Sequence, residues 1–328
     1  MSLLLPFILL IIGFLLLVKG ADFFVDGASN IARFFKISSL IIGLTVVAFG
    51  TSLPEAAVSI SSALSGVSDV AFGNIVGSNI FNTALILGLS ALVLPQIVHT
   101  DLIKRDLPIN LLAVVLLVPF FYLFSTDVNL INRIEGVLLI LLLGLFMYLL
   151  LNDARNMRNL DPTQLKEAQE VKAPDMKIKK AILLTIIGMA GIVVGGILVT
   201  NSAKEIAIEL GMSEWLVGLT IVSVGTSLPE LVTSVVAAFK KESDIAIGNI
   251  VGSNIFNVLF ILGTTSLLKP IVLNSTAIID LLILVSITGF VLIVSFFKKR
   301  INRLSGALLL LSYIGYLTYI ILRDSPSL

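Results

Sequence analysis

The same six-residue motif, which ends in a proline followed by a glutamate, occurs twice in the chain. Each copy lies inside an apolar stretch. The copies are Gly50-Thr-Ser-Leu-Pro-Glu55 and Gly225-Thr-Ser-Leu-Pro-Glu230. A proline within a helix removes a backbone donor and clashes with the carbonyl four residues back, so each segment should break its helix and free carbonyl oxygens. The serine and threonine hydroxyls and the carboxylates of Glu55 and Glu230 add further oxygens. Together these groups predict a cation site made of oxygen ligands.

A second repeated segment supplies more polar donors. Gly73-Asn-Ile-Val-Gly-Ser-Asn-Ile-Phe-Asn82 recurs unchanged as residues 248–257. Each copy holds a serine and an asparagine four residues apart, and this spacing puts them on one helix face. These residues are Ser78, Asn82, Ser253 and Asn257. For the two asparagines, hydrogen bonding between helices is an alternative role, and the glycines of both copies have the spacing of close helix packing.

The ligand types restrict the expected site to hard cations. Carboxylates, hydroxyls, amides and carbonyls form an all-oxygen set of the kind that Ca²⁺ prefers. The chain has no cysteine and a single histidine, His99, so thiolate and multi-histidine metal sites are excluded. An ionised carboxylate deep in a bilayer is costly. Two of them close together therefore need a compensating cation or protons.

The repeated segments belong to a longer internal duplication. Residues 43–95 align on residues 218–270 without a gap, and 30 of the 53 positions are identical. The same offset of 175 pairs Gly13 with Gly188 and Gly20 with Gly195. Chance similarity between apolar helices would not repeat the polar residues at the same positions. The chain is therefore expected to consist of two related halves.

The composition indicates a membrane protein. Hydrophobic residues make up 57% of the 328 residues and charged residues 13%, against roughly 25% charged residues in a soluble domain. A helix of about 20 apolar residues crosses the hydrocarbon core. The predicted spans are 3–24, 39–64, 70–94, 107–125, 131–151, 180–201, 214–239, 245–268, 277–297 and 304–322. We expect an all-α integral membrane protein with ten transmembrane helices in two inverted five-helix repeats.

The basic residues predict the orientation. Loops after odd-numbered helices hold 18 of the 22 lysines and arginines, and such an excess marks the cytoplasmic side. Both termini are therefore expected outside the cell membrane and the polar loop 152–179 in the cytoplasm. Because five is an odd number, the second half (180–328) would be inverted relative to the first (1–151). Substrate sites in inverted-repeat transporters lie near the membrane midplane, on broken helices.

Other ionisable residues near the apolar stretches are weaker candidates. Four acids are expected at the membrane interface, and His99 is expected in a solvated loop. The four acids are Asp22, Asp26, Glu135 and Asp280. The sequence has no nucleophile–base set and no phosphate-binding loop, so we do not expect an enzyme.

With these two segments, the sequence resembles the cation/calcium exchanger superfamily, and specifically its prokaryotic sodium/calcium exchanger branch. The resemblance covers the whole chain. It implies that Ca²⁺ is held by the carboxylates of Glu55 and Glu230 and by the carbonyls of Thr51 and Thr226. It also implies flanking sodium sites that use Ala48, Ser52 and Ser78 on one side and Ser223, Ser227 and Ser253 on the other, with Asn82 and Asn257 lining the middle.

Two positions depart from the family pattern. Asn257 stands where related exchangers often have aspartate, and its neutral side chain argues against potassium co-transport. Ser223 corresponds to Ala48 in the repeat and adds a hydroxyl on one side only. The central loop is also too short for the large calcium-sensing domain of animal exchangers.

The expected function is the exchange of Na⁺ for Ca²⁺ by alternating access, because one Ca²⁺ or several Na⁺ can neutralise the same two carboxylates. The helices Leu3–Asp22 and Lys180–Asn201 are expected to slide against the rest. The main alternative is a proton/calcium antiporter with the same glutamates; cation-driven transport of another substrate and a channel are further alternatives. Apart from Ca²⁺, Na⁺ and membrane lipid, we expect no cofactor, nucleic acid or protein partner.

Overall fold

The protein is described by a computed structural model that covers residues 3–123, 130–158, 174–211, 223–273 and 276–324. Within these ranges the chain folds into helices, with four two-residue strands between them. The helices are α1 (Leu4–Phe35), α2 (Ser39–Thr51), α3 (Leu53–Leu64), α4 (68–93), α5 (102–123), α6 (Arg133–Arg158), α7 (Ile178–Glu209), α8 (Ser223–Thr226), α9 (Leu228–Phe239), α10 (Ser243–Leu268), α11 (Ala277–Lys298) and α12 (Arg303–Asp324). The strands are β1 (Gln96–Ile97), β2 (Leu130–Ile131), β3 (Ile271–Val272) and β4 (Arg300–Ile301).

Most of these helices are long enough to cross a membrane. Seven of the described helices combine the necessary length and hydropathy, and α2 with α3 forms an eighth, broken span bent by 47°. In α5 the α-helical part, Leu107–Leu123, has 17 residues and is slightly too short to be counted among these spans. The first residues of the predicted span 214–239 lie outside the described residues. The chain is a multi-pass, all-helical membrane protein. The count of ten spans stays a prediction.

The longest helices, α1 and α7, extend further than the sequence predicted. Each has 32 residues, whereas the predicted spans 3–24 and 180–201 have 22. The prediction was too short here because it ended each helix with the apolar stretch that spans the membrane. Beyond Asp22, α1 packs into the protein, where Phe24 is fully buried, and both Asp22 and Asp26 form ion pairs with Lys240. A helix can thus continue past the apolar stretch where its charges find partners.

Glycines let α1 and α7 pack backbone against backbone. A Cβ atom on Gly20 would lie 2.9 Å from the Gly188 carbonyl oxygen, and one on Gly13 would lie 3.0 Å from the Gly195 oxygen. Real Cβ contacts are longer than this, so side chains at these positions would force the helices apart. Because the pairings run in opposite chain directions, α1 and α7 are antiparallel. Large apolar side chains on their other faces are exposed, as a surface against lipid requires.

The two halves are also joined by short β-ribbons. β1 pairs with β4 and β2 pairs with β3, both antiparallel. β3 follows β1 by the repeat offset of 175, while β4 follows β2 by 170. The second offset shows a further repeat, Ile131-Asn-Arg133 and Ile301-Asn-Arg303, that the sequence comparison missed.

The arginines of this additional repeat act in the same way in both halves. Arg133 Nε donates to the Leu267 carbonyl, and Arg303 Nε donates to the Leu92 carbonyl, each at 3.2 Å. Leu92 and Leu267 are themselves related by the offset of 175. The duplication therefore extends into the last helix of each half, with five fewer residues in the loop of the second half.

Candidate ion-binding site

The helix breaks lie where the two Gly-Thr-Ser-Leu-Pro-Glu segments predict them. α2 ends at Thr51, and α3 begins at Leu53 with Pro54 in its first turn. The second copy repeats this arrangement: α8 ends at Thr226 and α9 begins at Leu228. The residues at the breaks, Ser52 and Ser227, have nearly identical dihedral angles, with ψ of 5° in both.

Each break puts a glutamate into the first turn of the following helix. Glu55 in α3 and Glu230 in α9 are both 0% exposed. A carboxylate at this position benefits from the positive end of the helix dipole. Among the described residues, no lysine, arginine or histidine forms an ion pair with either glutamate. The dipole alone does not neutralise a buried carboxylate.

Hydrogen bonds cross between the halves at this point. Ser227 Oγ donates to Glu55 Oε1 at 2.9 Å, and Ser52 Oγ donates to Glu230 Oε1 at 3.0 Å. Each glutamate is therefore held by the serine from the break in the opposite half. The two half-sites form one continuous polar cluster.

The serines of the second segment join the same cluster. Ser78 Oγ lies 3.0 Å from Ser227 Oγ. Ser253 Oγ lies 3.3 Å from Glu230 Oε1 and 3.4 Å from the Ala48 carbonyl oxygen, and its single proton can go to either acceptor. The structure thus brings Ala48 into contact with the site through its backbone. The side chain of Ser223 lies outside the described residues.

The asparagines expected to line the middle lie in wider, π-helical turns of α4 and α10. These turns, Phe81–Ile86 and Phe256–Leu262, contain Asn82 and Asn257, and both side chains are buried. Asn257 Nδ2 donates to Asn79 Oδ1 at 2.9 Å. Within the described ranges, the Asn82 amide has no hydrogen-bond partner. Neither asparagine bonds to a glutamate there, and the amide oxygens of both have no hydrogen-bond partner among the described residues. Their place in the middle of the site stays a prediction.

Two asparagines that the sequence analysis did not select hold the glutamate segments. Asn74 Nδ2 donates to the Glu55 carbonyl at 3.3 Å, and Asn249 Nδ2 donates to the Glu230 carbonyl at 3.4 Å. They belong to the unchanged ten-residue segment, so their identity in both repeats was the available signal. It was missed because the analysis selected only the serine and asparagine four residues apart.

Several buried oxygens of the cluster lack donors. Glu55 Oε2, Glu230 Oε2 and Asn257 Oδ1 have no hydrogen-bond partner among the residues that the structure describes. A buried acceptor left without a donor costs about 1–3 kcal/mol, and a charged one costs more. A bound cation or a proton would remove this cost. The described residues contain no group of three or more His, Cys, Asp or Glu side chains suited to a metal, so hydroxyls and carbonyls would have to complete the ligand set.

The weaker acidic candidates have structural partners instead. Asp22 and Asp26 pair with Lys240, and Asp280 pairs with Arg323 at 3.1 Å. Glu135 lies in the first turn of α6, at the end of the helix where it was expected, and its side chain is only 1% exposed. It accepts a hydrogen bond from the Asn132 N–H, and Asn132 Oδ1 accepts from the Glu135 N–H at 3.3 Å. This reciprocal arrangement is a capping box at the start of α6.

His99 lies in a loop with an exposed side chain, as expected, and it also contacts the start of α10. It lies in the loop after α4, its side chain is half exposed, and its Nε2 lies 3.0 Å from Asp244 Oδ1 at the start of α10. The hydrogen bond to Asp244 raises the pKa of His99 above its ordinary value, against the smaller opposite effect of partial burial.

The sequence that forms the broken helices and the paired glutamates matches the model of a known protein family. The family model described as "Sodium/calcium exchanger protein" matches residues 5–152 and 180–322. The chain belongs to the sodium/calcium exchanger family. Because this is a family of transporters, the chain is a transporter and not an enzyme, and the resemblance seen in the sequence is confirmed.

Full-length relatives and solved structures agree with this membership. The sodium/calcium exchanger MaX1 of Methanosarcina acetivorans is 33% identical over 95% of this chain and 97% of its own length. The putative antiporter CaxA of Alkalimonas amylolytica is 40% identical over 94% of this chain and 96% of its own. A structure of the sodium-calcium exchanger NCX_Mj, soaked with Na⁺ and Sr²⁺, is 31% identical with a TM-score of 0.83, covering 96% of this chain and 98% of that one.

Proposed function

We propose that this protein exchanges Na⁺ for Ca²⁺ across the cell membrane at the site formed by Glu55 and Glu230. The observation that carries the proposal is the pair of fully buried carboxylates, each with one oxygen lacking a donor among the described residues. Since no basic side chain of those residues pairs with them, the transported ions themselves must supply the positive charge. The relatives named as sodium/calcium exchangers support Na⁺ and Ca²⁺ as these ions.

In this proposal one Ca²⁺ occupies the centre of the cluster. The carboxylates of Glu55 and Glu230 and the carbonyls of Thr51 and Thr226 are its ligands, a hard-oxygen set of the kind Ca²⁺ takes. The two threonines end their helices directly at the breaks. Carbonyls at such breaks are available to ions in membrane proteins.

Sodium ions occupy positions that flank the centre. Ser52 and Ser227 already bond to the glutamates of the opposite half, so an ion beside either serine also neutralises a carboxylate. The proposed sodium ligands are Ala48, Ser52, Ser78, Ser223, Ser227 and Ser253, with Asn82 and Asn257 lining the middle. Because Ca²⁺ and Na⁺ neutralise the same charges, they cannot bind together, and exchange follows from this competition.

The proposed topology has ten spans in two inverted repeats, 1–151 and 180–328, with the loop 152–179 in the cytoplasm and both termini outside. The antiparallel packing of α1 and α7, the first helices of the two halves, supports inversion. Contacts between loops support the assignment of sides, because each joins loops expected on the same side. On the basic side these contacts are Lys240 with Asp22, Arg33 with Asp175, His99 with Asp244, and β1 with β4; on the other side they are β2 with β3 and Lys269 with the Leu64 carbonyl.

Alternating access is proposed to occur by sliding of α1 and α7 against the other helices. Their contact is lined by Gly13, Gly20, Gly188 and Gly195, which keeps the two helices together as a pair. The faces turned away from this contact carry large apolar side chains. The pair can therefore move in lipid as one body.

Radiolabelled Ca²⁺ uptake into proteoliposomes tests which ion drives transport. The vesicles are loaded with Na⁺ or with choline, at equal pH on both sides, and a third set carries only a pH gradient. Uptake that requires internal Na⁺ supports the proposal. Uptake that ignores Na⁺ and follows the pH gradient would instead establish the second candidate, a proton/calcium antiporter, since protons can also occupy the buried glutamate oxygens.

A further inference from the structure

One buried amide in each half binds residues from both halves. Asn74 Nδ2 donates to the Glu55 carbonyl at 3.3 Å and to Ser59 Oγ at 2.9 Å, both in α3. Its Oδ1 accepts a hydrogen bond from Thr226 Oγ1 at 3.3 Å. Thr226 is the last residue of α8 in the other half. A single side chain thus joins the glutamate helix of one half to the end of the broken helix in the other.

Asn249 repeats every one of these contacts. Its Nδ2 donates to the Glu230 carbonyl at 3.4 Å and to Ser234 Oγ at 2.9 Å. Its Oδ1 accepts from Thr51 Oγ1 at 3.0 Å. Asn74 and Asn249 are 9% and 0% exposed, so water does not compete for these bonds.

The orientation of the amide follows from its partners. The two Nδ2 protons go to the glutamate carbonyl and the serine hydroxyl in the same half as the asparagine. Only Oδ1 is then left to accept a bond from the threonine of the opposite half. A leucine or alanine at position 74 or 249 would leave the threonine hydroxyl, the glutamate carbonyl and the serine without this partner. Packing alone would not require an amide with both a donor and an acceptor facing the two halves.

From these contacts we propose that Asn74 and Asn249 are positioning residues that fix the distance between the two halves of the ion site. This inference rests on the proposed function, because it assigns the threonine carbonyls to Ca²⁺. Ca²⁺ requires ligands from both halves at once, at distances of about 2.3–2.6 Å. Among the described residues, each serine proposed for a flanking Na⁺ bonds to at most one glutamate of the pair, whereas the proposed Ca²⁺ bridges both glutamates. We call each of these asparagines, with its bonds to both halves, a clamp. Loss of either clamp therefore weakens Ca²⁺ binding more than Na⁺ binding.

A double-mutant cycle tests the clamp in full-length protein reconstituted into Na⁺-loaded vesicles. The variants are Thr51→Val, Asn249→Ala and their combination; Thr51→Val removes the hydroxyl but keeps the backbone carbonyl. The readouts are the KM for radiolabelled Ca²⁺, the maximal rate, and the Na⁺ concentration that gives half the maximal rate. Thr318→Val is the matched control, because within the described residues its hydroxyl bonds to the Ile314 carbonyl of its own helix, on an exposed face.

We expect Thr51→Val to raise the KM for Ca²⁺ about five- to tenfold, as for the loss of one buried hydrogen bond. Asn249→Ala should raise this KM further, because it also loses the bonds to the Glu230 carbonyl and to Ser234. The maximal rate and the Na⁺ dependence should change much less. The double variant should be no worse than the poorer single variant, because both remove the same bond. An unchanged KM in Thr51→Val, or effects that multiply in the double variant, would overturn the clamp. If Asn249→Ala does not fold, Thr51→Val and the mirror variant Thr226→Val still decide the matter. Wild-type protein without Na⁺-dependent uptake would refute the proposed function itself, which separates the two failures.

Discussion

Ser227 donates a hydrogen bond to Glu55 Oε1 at 2.9 Å, although 172 residues separate them and they belong to different halves of the chain. The mirror bond, from Ser52 to Glu230, has almost the same length. Each half therefore supplies one carboxylate and also the serine hydroxyl that bonds to the carboxylate of the other half. Neither half alone contains this pair of hydrogen-bonded carboxylates.

The serine of each break should matter equally. Replacing Ser227 or Ser52 by alanine removes the donor to a buried carboxylate, and a hydrogen bond to a charged group contributes about 1.5–3 kcal/mol. We expect each variant to lower the initial rate of Ca²⁺ uptake at limiting Na⁺ by about tenfold, or ~1.4 kcal/mol. Ser286→Ala is the control, since Ser286 bonds to its own helix on an exposed face. A strong effect in only one of the two serine variants would contradict the reciprocal arrangement.

The ion pairs at the end of α1 should restrain its movement. Lys240 Nζ lies 2.7 Å from Asp22 Oδ1 and 2.6 Å from Asp26 Oδ1, so sliding of α1 past α9 must break these pairs. Partly exposed pairs contribute about 0.2–1 kcal/mol each. Lys240→Gln should therefore raise the maximal exchange rate by about two- to fivefold.

Lys241→Gln provides the comparison for Lys240→Gln. It removes the same charge one residue further along, and Lys241 forms no ion pair within the described residues. Uptake measured at saturating Na⁺ and Ca²⁺ should change only in the Lys240 variant. An equal increase of the maximal rate in both variants would show that general surface charge, rather than the ion pairs of Lys240 with α1, controls the exchange rate.

The glycine contact between α1 and α7 should tolerate no added methyl group. A Cβ at position 188 would lie 2.5 Å from the Phe24 backbone nitrogen, and overpacking of this kind costs about 1–3 kcal/mol. Gly188→Ala should lower the thermal unfolding temperature in detergent and reduce exchange. Gly289→Ala, where no described atom lies within 4 Å of a Cβ, should leave exchange unchanged and should not lower the unfolding temperature, because alanine favours the helix more than glycine does. A wild-type unfolding temperature in Gly188→Ala would refute the backbone-to-backbone packing.

His99 offers a direct test of the contact between its loop and α10. The hydrogen bond to Asp244 raises the pKa of His99 above its ordinary value, which is about 6.5. Because the folded-state pKa is the higher one, this contact stabilises the protein fully below pH ~6.5 and is lost as the pH rises through the raised value.

His99 is the only histidine in the chain, so NMR of histidine-labelled protein follows it without overlap. We expect its pKa to fall towards the ordinary value in Asp244→Asn. The effect in Asp101→Asn should be smaller, because Asp101 contributes the smallest of the electrostatic effects on His99. A pKa that is the same in wild type and Asp244→Asn would contradict the contact.

The sequence predicted the parts of the site that depend on local chemistry. Pro54 and Pro229 cannot donate a backbone hydrogen bond, so the positions of both helix breaks followed from residue type alone. The duplication further predicted that Glu55 and Glu230 have equivalent surroundings. Their burial and their cross-half hydrogen bonds agree with this expectation.

The remaining features depend on contacts that a sequence does not contain. The partners of Asn74 and Asn249 in the opposite half arise from the packing of the two halves. The end of α1 contacts Lys240, more than 200 residues away in the sequence. The repeat at Asn132 and Asn302 was hidden by a loop-length difference of five residues, and only the paired ribbons made it visible.

The most direct test of the account is Na⁺-driven uptake of radiolabelled Ca²⁺ by Glu55→Gln and Glu230→Gln proteins in vesicles of equal pH. Glu135→Gln is the matched control, because glutamine can also serve in the capping box of α6. The account predicts that both site variants lose uptake, that they retain the unfolding temperature of a folded protein, and that Glu135→Gln transports like wild type. Uptake close to the wild-type level in either Glu55→Gln or Glu230→Gln would contradict the paired-glutamate site.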